Sequence, residues 1–179
     1  MPSKVAFSNK HSNLEDIEEY YVDSDAALRD YFLSPTVSPK FIGYSLQELQ
    51  NELKIRVDSL DRMCSLEILS TLEARFRVDY LLRCQKKKRD RFSKKLRAVY
   101  HKKKNNASLV DDIIGTWRKE FPEHKTRLDN LQKALDYRNW LAHGRYWQTK
   151  KTPHISSYDY LSVYTLADEI LGNIDLIES

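Results

Sequence analysis

Glycine and proline are scarce, at four and five in 179 residues. Tight turns need glycine for positive φ and proline for fixed φ. Their scarcity excludes a turn-rich β architecture and points to long helices. The only cysteines, Cys64 and Cys84, exclude a disulfide scaffold. The apolar periodicity puts both on one continuous helix, about 30 Å apart, too far to bridge. No Cys or His pair has zinc spacing, so neither a metal site nor a cofactor is expected. No apolar run approaches a membrane span. Met1-Pro2-Ser3-Lys4-Val5 holds no apolar signal core. A reduced, cytoplasmic setting without a membrane partner is the expectation.

What is present is 41% apolar residues and a net charge of +4, unevenly spread. From Arg83 to Lys104 stand 12 Lys or Arg and one acid, Asp90, so the rest of the chain sums to −7. Seven acids lie between Leu14 and Asp30, opposed only by Arg29. A basic block on an otherwise acidic chain suits a polyanion-facing surface. Lys86, Lys87, Lys88, Arg89, Arg91, Lys94 and Lys95 are its candidate RNA-binding residues. The bland alternative is a solvated helix face, with Phe92 and Tyr100 as core contacts rather than stacking platforms. The acidic N-terminal stretch could dock on this block, in the same chain or in a partner.

Periodicity and caps give the fold. Ser12 and Glu15 suggest a capping box before a short helix, with a second short helix from Asp25 to Leu33. Ser45 and Glu48 form another box, ahead of the stripe Leu46, Leu49, Leu53, Val57 and Leu60. That helix continues through Leu69, Leu72, Phe76 and Tyr80, and the basic block reads as its extension. Ser108 caps a helix holding Val110, Ile113, Ile114 and Trp117. Pro122 suits the first turn of the next helix, ending at His143. The last helix runs from about Tyr158 to Ile177. The expectation is an all-α fold: an antiparallel bundle of about four main helices with a short N-terminal helical addition. Residues 1–43 form the acidic extension and 44–179 the bundle.

The most informative stretch is Leu135-Asp136-Tyr137-Arg138-Asn139-Trp140-Leu141-Ala142-His143-Gly144-Arg145-Tyr146. Arg138 follows Leu128, Leu131 and Leu135 on an apolar stripe, and Gly144 can take the left-handed conformation that stops a helix. The spacing alone arises by chance about 0.4 times in a chain with 13 Arg and five His, so the context carries the weight. A guanidinium can hold phosphate oxygens and stabilise transition-state charge, and an imidazole can move protons near neutral pH. RNA supplies its own 2′-hydroxyl nucleophile. Five steps of about 100° set His143 roughly 140° around the axis from Arg138. Either the helix end unwinds at Gly144, or a two-fold dimer brings two Arg138 and two His143 around one cleft. The bland alternative is a structural Arg138 paired with Glu73 or Glu67 of a neighbouring helix.

Over Tyr137 to Tyr146 the chain resembles the HEPN family of helical bundles, whose hallmark is an Arg, a polar residue and a His four to six positions later. It looks closest to the RNase-like branches of toxin and antiviral systems. The resemblance implies a homodimer and metal-independent RNA cleavage to 2′,3′-cyclic phosphate ends. It assigns phosphate binding to Arg138, orientation to Asn139 and acid–base work to His143; Arg145 and Tyr146, just beyond, are further candidate RNA-binding residues. One branch carries a modifiable Tyr two residues after the His; here that position is Arg145 and Tyr146 follows it. An antitoxin or regulatory protein is the implied partner. The alternative within the family is a non-catalytic module binding RNA or protein. A helical adaptor gripping DNA or an acidic protein is a third reading.

Overall fold

The computed structural model describes residues 12–34, 38–145, 155 and 157–177. Among them lie six α-helices and no strand, so the all-α expectation holds and the helix count differs from it. Asn13 opens α1 (Leu14–Leu33) by accepting from the Asp16 N–H. The expected Ser12 cap fails because Ser12 donates to Glu67 of the next helix at 2.5 Å. α1 is one helix where two were expected. Asp25 pairs with Arg29 one turn on, at 2.6 Å, and no glycine or proline interrupts the segment.

A 3-10 turn, Pro39–Phe41, leads to α2 (Leu46–Gln85), 40 residues long. Its capping box is the expected one: Ser45 accepts from the Glu48 N–H, and Glu48 accepts from the Ser45 N–H at 2.7 Å. α2 does not run on through the basic block. Lys87 turns left-handed, φ +48°. The N–H groups of Lys87 and Lys88 donate to the carbonyls of Cys84 (3.3 Å) and Arg83 (3.4 Å), a Schellman closure. Asp90 then caps α3 (Arg91–Lys103) by accepting from Ser93. Arg97 reaches back to the carbonyls of Lys88 and Arg83, which fixes the turn. A left-handed lysine carries a steric cost that glycine avoids. Lys87→Gly should therefore raise the unfolding free energy in urea by roughly 0.5–1 kcal/mol; a loss of stability would show that the turn is not the strained element described.

Beyond a 3-10 turn, Lys104–Asn106, Ser108 caps as expected, accepting from Asp111. The segment it opens is π-helical over Leu109–Ile114 and α-helical only as α4 (Gly115–Glu120). Pro122 begins a 3-10 turn, Pro122–His124, that feeds α5 (Lys125–Ala142). α6 (Tyr160–Asn173) starts at an Asp159/Ser162 capping box. It stops before the expected Ile177, because the Ile177 N–H donates to Asp79 of α2 at 2.8 Å instead.

α2 is the central element, and α1, α3, α5 and α6 all pack on it. Its Ile68, Leu69, Leu72 and Phe76 interlock with Ile113, Ile114, Leu128, Leu131, Val163 and Ile170, all at most 1% exposed. Leu14 and Ile17 of α1 belong to the same cluster. α1 runs antiparallel to the first part of α2: Ser12 meets Glu67, and the Tyr21 hydroxyl donates to Asp61 at 2.7 Å. Glu18 accepts from Tyr164 of α6. α1 thus lies along the first part of α2 and beside α6, and does not dock on the basic turn within the chain.

Acid sensitivity concentrates at caps and ion pairs. The Ser162 N–H and hydroxyl hold the Asp159 carboxyl below the usual range; those of Ser45 do so for Glu48, and Lys103 does so for Asp112. A carboxyl depressed by folding contributes stability that is complete above its unfolded pKa, about 4, and lost as pH falls through the folded value. Asp61 and Asp79 act oppositely: burial raises both, so their contribution declines as pH rises through the folded value. The urea midpoint should fall steeply only below about pH 4. Urea titrations at intervals through this range test it, and a midpoint that rose on acidification would contradict the cap assignments.

Candidate functional site

α5 presents Leu128, Leu131, Ala134 and Leu135 to the core, each at most 4% exposed. Arg138 is the next residue on that stripe and sits at the edge of the core, its side chain 28% exposed. Tyr137 is buried between Tyr158 (ring centroids 5.4 Å apart) and Trp140 (6.1 Å). Trp140 also packs partly buried against the main core, which makes it an anchor of the helix end.

The helix stops as the sequence indicates. Gly144 takes φ +75°. The Gly144 N–H donates to Leu141 (3.2 Å) and the Arg145 N–H to Trp140 (2.9 Å), closing a second Schellman motif. His143 is the C-cap and is exposed. Its N–H still donates to the Asn139 carbonyl at 3.0 Å, so the helix keeps its winding up to His143. Unwinding begins only beyond it. The offset of roughly 140° between Arg138 and His143 therefore stands, and one chain does not present both on one face.

Arg138 faces α2. Its Nη2 pairs with Glu73 Oε2 at 2.7 Å, and its Nη1 donates to Asn139 Oδ1 at 3.1 Å. Its Nε is buried and makes no hydrogen bond. Of the two acids considered from the sequence, Glu73 is the partner, whereas Glu67 accepts from Ser12. The other oxygen of Glu73 pairs with Arg77 Nε at 2.8 Å, and Arg77 Nη1 donates to the Ala107 carbonyl at 3.3 Å. Arg77 was not singled out by sequence. Its i,i+4 spacing from Glu73 was a readable signal, but which face of α2 meets α5 was not.

Arg145 is exposed beside the helix stop, with φ +59°. Tyr146 lies outside the described residues. Lys86, Lys87, Lys88, Arg89 and Lys94 are exposed. Arg91 (3.3 Å) and Lys95 both pair with Glu120, which lowers that carboxyl's pKa and spends part of the block's charge. Phe92 is buried against Trp117 (4.4 Å) and Phe121 (5.1 Å), so it offers no stacking surface to a base. The basic turn starts thirteen residues beyond Glu73 on α2, about 20 Å along the axis. The structure thus does not bring the block to the helix tip within one chain.

Burial raises the Tyr137 and Tyr158 hydroxyls. Cys64 and Cys84 are free and buried, with thiols pushed up to about 11, and both lie on α2 as expected. Among the described residues no group of three His, Cys, Asp or Glu is placed to hold a metal ion, and no helix is long and apolar enough to cross a membrane. No protein-family model, curated protein or solved structure matches the chain.

Proposed function

We propose that the chain is a HEPN-type endoribonuclease, homodimeric and metal-independent, serving a toxin–antitoxin or phage-defence system with an antitoxin or regulatory protein as partner. The observation that carries this reading is the end of α5, where a half-exposed Arg138, steadied by Asn139, stands five residues before an exposed His143 at the helix stop. The 2′-oxygen attacks the adjacent phosphorus as its proton passes to an imidazole. The bond from phosphorus to the 5′-oxygen breaks, leaving a 2′,3′-cyclic phosphate, and the 5′-oxygen takes a proton. Arg138 holds the non-bridging oxygens as their charge grows. Because the two side chains diverge on one helix, the site is composite across a two-fold axis, with Arg138 of one protomer beside His143 of its partner. Arg145, Tyr146 and the exposed lysines of the basic turn would hold the RNA backbone on either side.

The test is cleavage of a mixed-sequence RNA in excess chelator, with analysis of the product ends. Cyclic phosphate ends from wild type, a DNA counterpart left intact, and a loss of about 10²–10³-fold in Arg138→Ala are expected. Full cleavage by Arg138→Ala, or cleavage abolished by chelator, would overturn the reading. The Arg138–Glu73 pair, which ties α5 to α2, favours a second reading: a non-catalytic HEPN-type module that binds RNA or protein. Intact RNA with a salt-dependent mobility shift would select it.

A further inference from the structure

Glu73 serves two arginines at once. Oε1 takes Arg77 from its own helix and Oε2 takes Arg138 from α5, each through a single guanidinium nitrogen. Neither pair is a two-pronged fork, so both guanidinium groups keep N–H donors for another acceptor. Each arginine is also held at its far side, Arg77 by the Ala107 carbonyl and Arg138 by Asn139. The Glu73 carboxylate is 18% exposed, against 39% for Arg77 and 28% for Arg138. The acid lies deepest and the cations form the rim.

We propose that Arg77, Glu73 and Arg138 form one subsite for an RNA phosphodiester, with Glu73 as a positioning residue and Arg77 as the second cation. The substrate class rests on the ribonuclease reading. Charge explains why a second arginine is needed. Arg138 with Glu73 alone is neutral and attracts a phosphate weakly; Arg77 returns the group to one net positive charge, which a single phosphodiester balances. The same helix shows what a purely structural pair looks like. Asp79 and Arg83, also i,i+4, are 0% and 10% exposed and neutral together. The Glu73 cluster is instead partly exposed, its side chains at 18–39%, where ion pairs add less to stability.

The probe is a mixed-sequence 2′-O-methyl oligoribonucleotide, which lacks the nucleophile and reports binding alone. Anisotropy titrations over a range of salt compare wild type, Glu73→Gln and Arg77→Gln, and circular dichroism checks each fold. Arg77→Gln should weaken binding severalfold and reduce the salt slope by about one. Glu73→Gln should tighten binding severalfold yet lower kcat on cleavable RNA at least tenfold, because Arg138 is no longer held. Tighter binding with slower turnover separates positioning from a structural role, which would weaken both. Unchanged affinity and slope in the two variants, or weaker binding by a folded Glu73→Gln, would overturn the subsite. If Glu73→Gln does not fold, Arg77→Gln decides alone, and unchanged binding overturns the proposal. If wild type leaves RNA intact while the binding shifts appear, the ribonuclease reading falls and the subsite stands. If wild type cleaves and the shifts are absent, the subsite alone falls.

Discussion

His143→Ala should lower RNA cleavage by about 10²–10⁴-fold, the usual worth of a positioned acid–base group, with little effect on the fold. His143 caps α5 through its backbone, and the bond from its N–H to the Asn139 carbonyl survives the substitution. The substitution removes the charge the imidazole can place at the helix C-terminus, worth about 0.3–1 kcal/mol, together with the side chain's own contacts. Urea unfolding beside the cleavage assay separates the two effects, and a fully active His143→Ala would end the proposed mechanism. Mixing subunits tests the composite site. Arg138→Ala and His143→Ala homodimers each lack one component everywhere. A mixed dimer with sites shared across the axis keeps one intact Arg138–His143 pair. Random exchange of equal amounts should then restore about one quarter of wild-type activity. No recovery after demonstrated exchange would place both groups in one protomer, against the angular offset expected from helix geometry along α5.

Asp79→Ala should remove about 3–5 kcal/mol of stability, a large part of the total for a domain of this size. Asp79 is fully buried, and burial pushes its carboxyl pKa up, against the pull of the Ile177 N–H and Arg83. Oδ1 accepts from Arg83 Nε at 2.7 Å and from the Ile177 N–H at 2.8 Å. Arg83 also donates to the Asp175 carbonyl at 3.1 Å and lies over the rings of Phe92 (4.9 Å) and Trp117 (5.5 Å). Removing the carboxylate strands a guanidinium in the core and frees the segment after α6. Arg83→Met with Asp79→Leu should cost less than Asp79→Ala alone, because no buried charge is left unpaired. Chemical denaturation of the three proteins measures this, and a mild Asp79→Ala would mean that water reaches the pair.

Much of the helical plan was legible because its signals are local. The Ser45/Glu48 box, the Ser108 cap and the stop at Gly144 each depend on residues within one or two turns. The two Schellman closures show the limit. At α5 a glycine takes the left-handed position and announces the stop. At α2 the same closure is made by Lys87, which nothing in the basic run distinguishes from its neighbours. The second helix start near Asp25 failed for a related reason: a residue suited to capping pairs with Arg29 as readily when the surrounding packing favours helix.

The order of residues by itself determined an all-α fold, the placement of Arg138 beside an apolar stripe and that of His143 at a glycine stop. These follow from periodicity and from hydrogen bonds that close within a turn. Only the tertiary structure decided that Glu73 bridges Arg77 and Arg138, that Asp79 locks a segment 98 positions away, and that the basic turn lies about 20 Å along α2 from the helix tip. Those outcomes depend on which faces of distant helices meet. That is fixed by how the whole core fills its volume, a property no single stretch of sequence carries.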